Sequence, residues 1–125
     1  MAPRKKFLMA RVLVVDDEPL IAIAMAEWLA DLGHEVVGPV GDLAAALSLA
    51  DTAIEAAILD ISLGPDRTFA VARRLRERGV PYAVASGHDV ENLDEAFAGA
   101  LRLAKPFGFE SFRHAVEQML AKRGN

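Results

Sequence analysis

A chain of 125 residues that is 53% hydrophobic suits one domain with a full core and leaves no room for a second module. It contains no cysteine, which removes disulfides, zinc–thiolate centres and cysteine nucleophiles from consideration. A net charge of −4 argues against a nucleic-acid binder, because phosphate contacts require a concentrated basic surface. Residues 1–10 read as a tail in which Arg4, Lys5 and Lys6 are solvated. The apolar run after them is too short for a signal-peptide core or a membrane span, so a cytoplasmic location and no membrane partner are expected.

The elements follow in order. Residues 11–15 are a short β-branched run that stops at Asp16-Asp17-Glu18-Pro19, the pattern of a strand buried on both faces. Alanines with Ile21, Met25, Trp28 and Leu29 predict a helix over 19–32, with Pro19 in its first turn, Gly33 just past its end and Trp28 packing on it. A strand over 35–40, a helix capped by Asp42 and running to about residue 50, and a strand over 55–59 repeat the pattern, and again an acid, Asp60, closes the strand. After a loop over 61–66, a helix over 67–78 alternates Phe69, Val71 and Leu75 with a basic face, Arg73, Arg74, Arg76 and Arg78, that is expected to be solvated. A strand over 82–85, a helix over 89–98, a strand over 100–104 and a closing helix over 107–122 complete the chain, leaving 123–125 as a tail.

Strands alternating with helices imply a parallel sheet covered on both faces. The expected fold is α/β: a flavodoxin-like, doubly wound sheet of five strands in the order 2-1-3-4-5 with five helices, forming one domain over 11–122. In that order the first and third strands are neighbours, and ligands bind beyond the strands' carboxyl ends where the order reverses. Asp16, Asp17 and Asp60 therefore meet at the expected site. Three carboxylates held together repel one another and raise one another's pKa unless a cation neutralises them. Mg²⁺ suits such a site, since it takes one or two carboxylates, keeps waters and completes its shell with phosphate oxygens. Ser86 and Gly87 after the fourth strand, and Lys105 with Pro106 after the fifth, complete a phosphoryl cradle of hydroxyl, backbone N–H and ammonium. Asp60 is then the candidate nucleophile.

At these residues the sequence resembles the receiver domains of two-component response regulators, from about residue 11 to residue 122. The acidic pair falls on Asp16 and Asp17, the phosphoacceptor on Asp60, the hydroxyl on Ser86 and the lysine–proline pair on Lys105 and Pro106. The resemblance implies that Asp17 and Asp60 bind Mg²⁺ directly, Asp16 largely through water, and the Ser62 backbone carbonyl as a further ligand. It also implies that Lys105 pairs with the phosphoryl group and that the bond before Pro106 is cis. Receivers usually carry an aromatic switch three positions before the lysine, where this chain has Arg102; with Val84-Ala85-Ser86-Gly87 and Lys105-Pro106-Phe107, it resembles a subgroup of single-domain receivers without that switch. Arg102 is a candidate replacement that changes its salt-bridge partner on phosphorylation. A histidine kinase or histidine phosphotransfer protein is the implied donor, an unknown downstream protein the target, and the fourth helix, fifth strand and fifth helix the implied output face. No enzymatic activity is expected beyond the chain's own phosphorylation and dephosphorylation.

Taken singly, these residues have plainer readings: Asp16 or Asp17 as a helix cap, Asp60 at a turn, Ser86 in a loop and Lys105 as a surface lysine. Their convergence on one edge separates the readings. His34, His88 and His114 lack metal-ligand spacing and are assigned surface or turn roles, with His88 near enough to the site to affect water access. A flavin or nucleotide domain of the same fold needs a phosphate loop where this chain has Asp-Asp-Glu. A small-substrate phosphatase needs a general acid and a covering cap, for which no insertion is long enough. A receiver-like interaction module that is never phosphorylated stays open as the alternative.

Overall fold

The computed structural model describes residues 9–87, 97–98 and 100–123, the last two as backbone only. In chain order the elements are β1 (Arg11–Val15), α1 (Pro19–Asp31), β2 (Glu35–Val40), α2 (Leu43–Ala50), β3 (Ala56–Asp60), β4 (Ser62–Leu63), β5 (Asp66–Arg67), α3 (Phe69–Glu77), β6 (Tyr82–Ser86), β7 (Leu101–Ala104) and α4 (Phe109–Arg123). Five parallel strands form one sheet in the order β2-β1-β3-β6-β7, which is the expected 2-1-3-4-5. Strands β1 and β3 occupy the middle, and their apolar runs are buried from Val12 to Val15 and from Ala56 to Asp60.

The sheet separates two cores because successive side chains of a strand point to opposite faces. Leu13 and Val15 of β1 and Leu59 of β3 pack with Ala46 of α2 and Val71 and Leu75 of α3. Val12, Val14 and Ile58 pack on the other side with Met25 and Leu29 of α1 and Phe112, Val116 and Met119 of α4. Helix starts and stops follow local chemistry. The Asp42 carboxylate accepts the Ala45 N–H at 2.8 Å and caps α2, and Gly33 ends α1 at φ 90, a conformation that lacks steric cost only without a side chain. Trp28 does more than lie on α1: its ring meets Phe107, Phe109 and Phe112 at 6.4, 5.9 and 5.3 Å and so joins α1 to α4.

Several local expectations change. The segment expected as a loop leading into a helix at Arg67 contains a small antiparallel hairpin, β4 with β5, in which the Arg67 guanidinium bonds the Ser62 hydroxyl. Helix α3 therefore starts at Phe69, after Thr68 has used its hydroxyl on the carbonyls of Asp60 and Ile61, at 2.7 and 3.3 Å, instead of capping the helix. The closing helix begins at Phe109, not at 107, because Phe107 turns inward against Trp28. His34 is buried rather than superficial, and its Nδ1 accepts the Ala10 N–H at 3.1 Å. Ala10 is itself fully buried.

The arginines of α3 are exposed, yet they serve as tethers. Arg74 pairs with Asp51 at 2.5 Å and Glu77 at 3.1 Å, while Arg78 bonds the Ala50 and Thr52 carbonyls, so the basic face stitches α3 to the end of α2. Of the helix expected over 89–98, only 97–98 lie within the described residues; there Phe97 is buried, with its ring 5.4 Å from that of Phe69. Among the described residues, no helix is long and apolar enough to cross a membrane.

Candidate functional site

The carboxyl ends of β1 and β3 lie side by side, with Val15 paired to Leu59, so the residues that follow each strand meet at one edge. A carboxylate oxygen from each of Asp16, Asp17 and Asp60 lies within 4.8 Å of the other two. Asp16 and Asp60 are buried and Asp17 is exposed. Backbone packing is close here: a Cβ on Gly41 would stand 3.2 Å from Asp17 Cα and 3.4 Å from the Asp16 carbonyl, so a larger residue at 41 would push the loop after β2 a few tenths of an ångström away from the acidic pair.

Each acid has a distinct set of partners. Asp16 Oδ1 accepts the Glu18 N–H at 2.9 Å, and its buried Oδ2 accepts no aligned hydrogen bond. Lys105 Nζ is 3.2 Å from that oxygen, but its hydrogen bonds go to Glu18 and Asp60, so the contact with Asp16 is an ion pair without a directed hydrogen bond. Burial, opposed by the Glu18 N–H and reinforced by the charge on Asp60, raises the Asp16 pKa from 3.8 to about 6. Asp17 Oδ2 accepts the Gly64 N–H at 2.7 Å, which ties the acidic pair to the hairpin. Asp60 Oδ1 accepts the Ser62 N–H at 3.3 Å, and its Oδ2 accepts from Lys105 Nζ at 3.0 Å.

Lys105 reaches the acids from the end of β7, where its backbone N–H donates to the Ser86 carbonyl at 2.8 Å. The Lys105–Pro106 peptide bond is cis, as the resemblance implies, and so is Gly38–Pro39, which was not expected. Burial by itself depresses the Lys105 ammonium, but hydrogen bonds to Glu18 and Asp60 and the charges of Asp60 and Asp16 outweigh it and hold the ammonium above the ordinary lysine range. Ser86 ends β6, one residue past Ala85, the register partner of Asp60, and is 4% exposed; Gly87 follows it. Arg102 is exposed on β7, and its guanidinium donates to the Ser86 hydroxyl at 3.5 Å, so its partner among the described residues is a hydroxyl. His88 lies outside the described residues.

Asp16, Asp17, Asp60, Ser86, Gly87, Lys105 and Pro106 thus lie at four strand ends on one edge of the sheet, while Ser62 stands in the hairpin strand β4 and Arg102 within β7. Three contributors were not singled out in the sequence: Glu18 on the lysine, Gly64 on Asp17, and Thr68 on the carbonyl that follows Asp60's own Cα. Glu18 had a visible signal as the third acid of the Asp-Asp-Glu run, whereas Gly64 and Thr68 act through a hairpin that no apolar periodicity announces.

Comparisons with known proteins agree with this geometry. The family model described as "Response regulator receiver domain" matches residues 12–117. The transcriptional regulatory protein PdtaR of Mycobacterium tuberculosis is 32% identical over 117 residues, covering 90% of this chain and 57% of that protein. Regulatory protein VirG of Rhizobium rhizogenes is 27% identical, covering 92% and 50%, so the chain spans about half the length of these curated relatives. Among solved structures, SdrG from Sphingomonas melonis is 34% identical with a TM-score of 0.75, covering 94% of this chain and 98% of that one. A response regulator receiver protein from Sinorhizobium medicae is 29% identical with a TM-score of 0.79, covering 92% and 97%. Because the family match runs through all five strands of the sheet and ends inside α4, this chain belongs to the response regulator receiver domains of two-component systems.

Proposed function

We propose that this receiver domain is a phosphoacceptor switch: Asp60 takes a phosphoryl group from a histidine kinase or histidine phosphotransfer protein in a Mg²⁺-dependent reaction, and the product signals through protein contacts. The observation that carries this reading is the placement of Lys105 Nζ 3.0 Å from Asp60 Oδ2 at the rim of a cluster of three carboxylates. Such a cluster suits a hard dication, and the buried Asp16 Oδ2 without an aligned hydrogen bond is the kind of orphaned acceptor that a metal-bound water satisfies. Asp17 and Asp60 are the proposed direct ligands, with Asp16 acting through water and the Ser62 carbonyl as a further ligand. The bound ion supplies charge neutralisation between an anionic attacker and an anionic donor.

The chain's own residues do the rest. The Asp60 carboxylate forms the new O–P bond as the donor's bond to phosphorus breaks, and Thr68 and Ser62 hold the Asp60 backbone and side chain in place for it. Lys105 turns its ammonium to the phosphoryl oxygens, and the Ser86 hydroxyl and Gly87 N–H donate to the same oxygens. The new charge biases a two-state surface that a partner reads, with the β7–α4 side as the proposed output face.

The test is intact-mass measurement after incubation with acetyl phosphate and Mg²⁺, beside Asp60→Ala and an EDTA control. One added phosphoryl group that needs both Mg²⁺ and Asp60 is expected. No adduct, together with no response to beryllofluoride, overturns the reading in favour of an unphosphorylated interaction module.

A further inference from the structure

Among the described acids that contact Lys105, Glu18 is mostly in solvent yet makes the shortest contact. Its Oε1 accepts from Lys105 Nζ at 2.7 Å, against 3.0 Å for Asp60 and 3.2 Å for Asp16, while its side chain is 56% exposed and those of Asp60 and Asp16 are 11% and 0% exposed. The backbone of Glu18 is fastened at both ends: its N–H donates to Asp16 Oδ1 at 2.9 Å and its carbonyl accepts the Ala22 N–H at 2.9 Å. The side chain is therefore a short arm on a fixed base, and it can leave the lysine for water at little cost, which the buried acids cannot do.

We propose that Glu18 is a carboxylate latch that holds the Lys105 ammonium in the unmodified protein and competes with an incoming phosphoryl group for it. This rests on the phosphoacceptor reading above and adds a positioning residue to it. An ammonium has three N–H donors, and here two are given to Glu18 and Asp60. A phosphoryl group arriving at Asp60 needs those donors, and Glu18 is the partner that can be displaced without burying an unpaired charge. The latch sets how readily the site loads: release of Glu18 precedes full capture of the phosphoryl oxygens by Lys105.

Two measurements on the intact chain test the latch separately from the phosphoacceptor chemistry. The first is the rate of Lys105 acylation by trace acetic anhydride at fixed pH, read by peptide mass spectrometry against the other lysines. Glu18→Gln is expected to raise it about two- to fivefold, the range in which partly exposed ion pairs act; an unchanged Lys105 rate overturns the latch whatever happens at Asp60. The second is the rate of phosphorylation by acetyl phosphate with Mg²⁺ in Glu18→Gln, in Lys105→Ala and in the double variant. A rise of about two- to fivefold from Glu18→Gln that vanishes in the Lys105→Ala background is expected. A rise that persists without the lysine shows that Glu18 merely repels the anionic donor, which also overturns the latch. If no form, the parent included, takes a phosphoryl group, the phosphoacceptor reading falls and the competition falls with it, and a raised acylation rate then reports only the Glu18–Lys105 ion pair.

Discussion

Substituting Asp16 by asparagine is expected to stabilise the metal-free protein. Asp16 is buried beside Asp60, and its pKa rises from 3.8 to about 6. A folded-state pKa above the unfolded value means that the native protein holds the proton more tightly. The associated stability is fully present below about pH 4 and is lost as pH rises through about 6. At roughly 1.4 kcal/mol per pKa unit, ionising Asp16 costs the native state up to about 3 kcal/mol above that window. Asparagine keeps the shape and cannot ionise, so Asp16→Asn is expected to gain about 1–3 kcal/mol at pH 7.5 in EDTA, the lower figure allowing for an imperfectly bonded amide. For a domain of this size each kcal/mol moves Tm by about 3–6 °C.

Urea unfolding followed by circular dichroism, at pH 7.5 and pH 4 in EDTA, measures the difference directly. The gain is expected to shrink at pH 4, where the parent's Asp16 is protonated. On the proposed Mg²⁺ site it is also expected to shrink at pH 7.5 when Mg²⁺ replaces EDTA, because only the parent would keep the full proposed ligand set and gain binding free energy from the ion. A variant no more stable than the parent at pH 7.5, or a gain that is the same at both pH values, refutes the reasoning.

Two further outcomes follow from the site. Thr68→Val keeps the shape of a fully buried side chain but strips the donor from the Asp60 and Ile61 carbonyls, so a loss of about 1–3 kcal/mol in urea unfolding is expected, with slower loading of Asp60 by acetyl phosphate; a variant as stable as the parent contradicts the assigned role. Arg102→Ala removes the guanidinium beside the Ser86 hydroxyl, and the amide shifts that beryllofluoride induces at the ends of β6 and β7 are expected to change. Identical shifts in the two proteins exclude Arg102 as the reporter of the site's charge.

What the sequence disclosed and what it hid divide along a physical line. Apolar runs such as Val12–Val15 and Ala56–Leu59 are buried on both faces, so hydrophobicity alone located them, and the acids that end them were placed with them. Alternation with helices implied a parallel sheet, the flavodoxin-like arrangement chosen for it supplied the strand order, and a parallel sheet puts the residues that follow each strand, Ser86 and Lys105 included, on the same edge. The hairpin around Gly64 has only two residues in each strand and no apolar period, so its hold on Asp17 was invisible. The partner of Arg102 and the burial of His34 depend on side chains far apart in the chain, Ser86 and Ala10, and no local pattern encodes such meetings.

The sheet works as a partition between two apolar compartments that, among the described residues, share no helix. Its acidic rim joins chain segments of both: the run from Asp16 through Glu18 leads into α1 on one side, while Asp60, through the hairpin and Thr68, leads into α3 on the other. A charge placed on that rim is thus hinged to both halves at once, and Lys105, arriving from β7, connects it to the far edge strand. A disturbance no larger than one side chain at the rim therefore acts on residues that run directly into α1 and, through the hairpin, into α3.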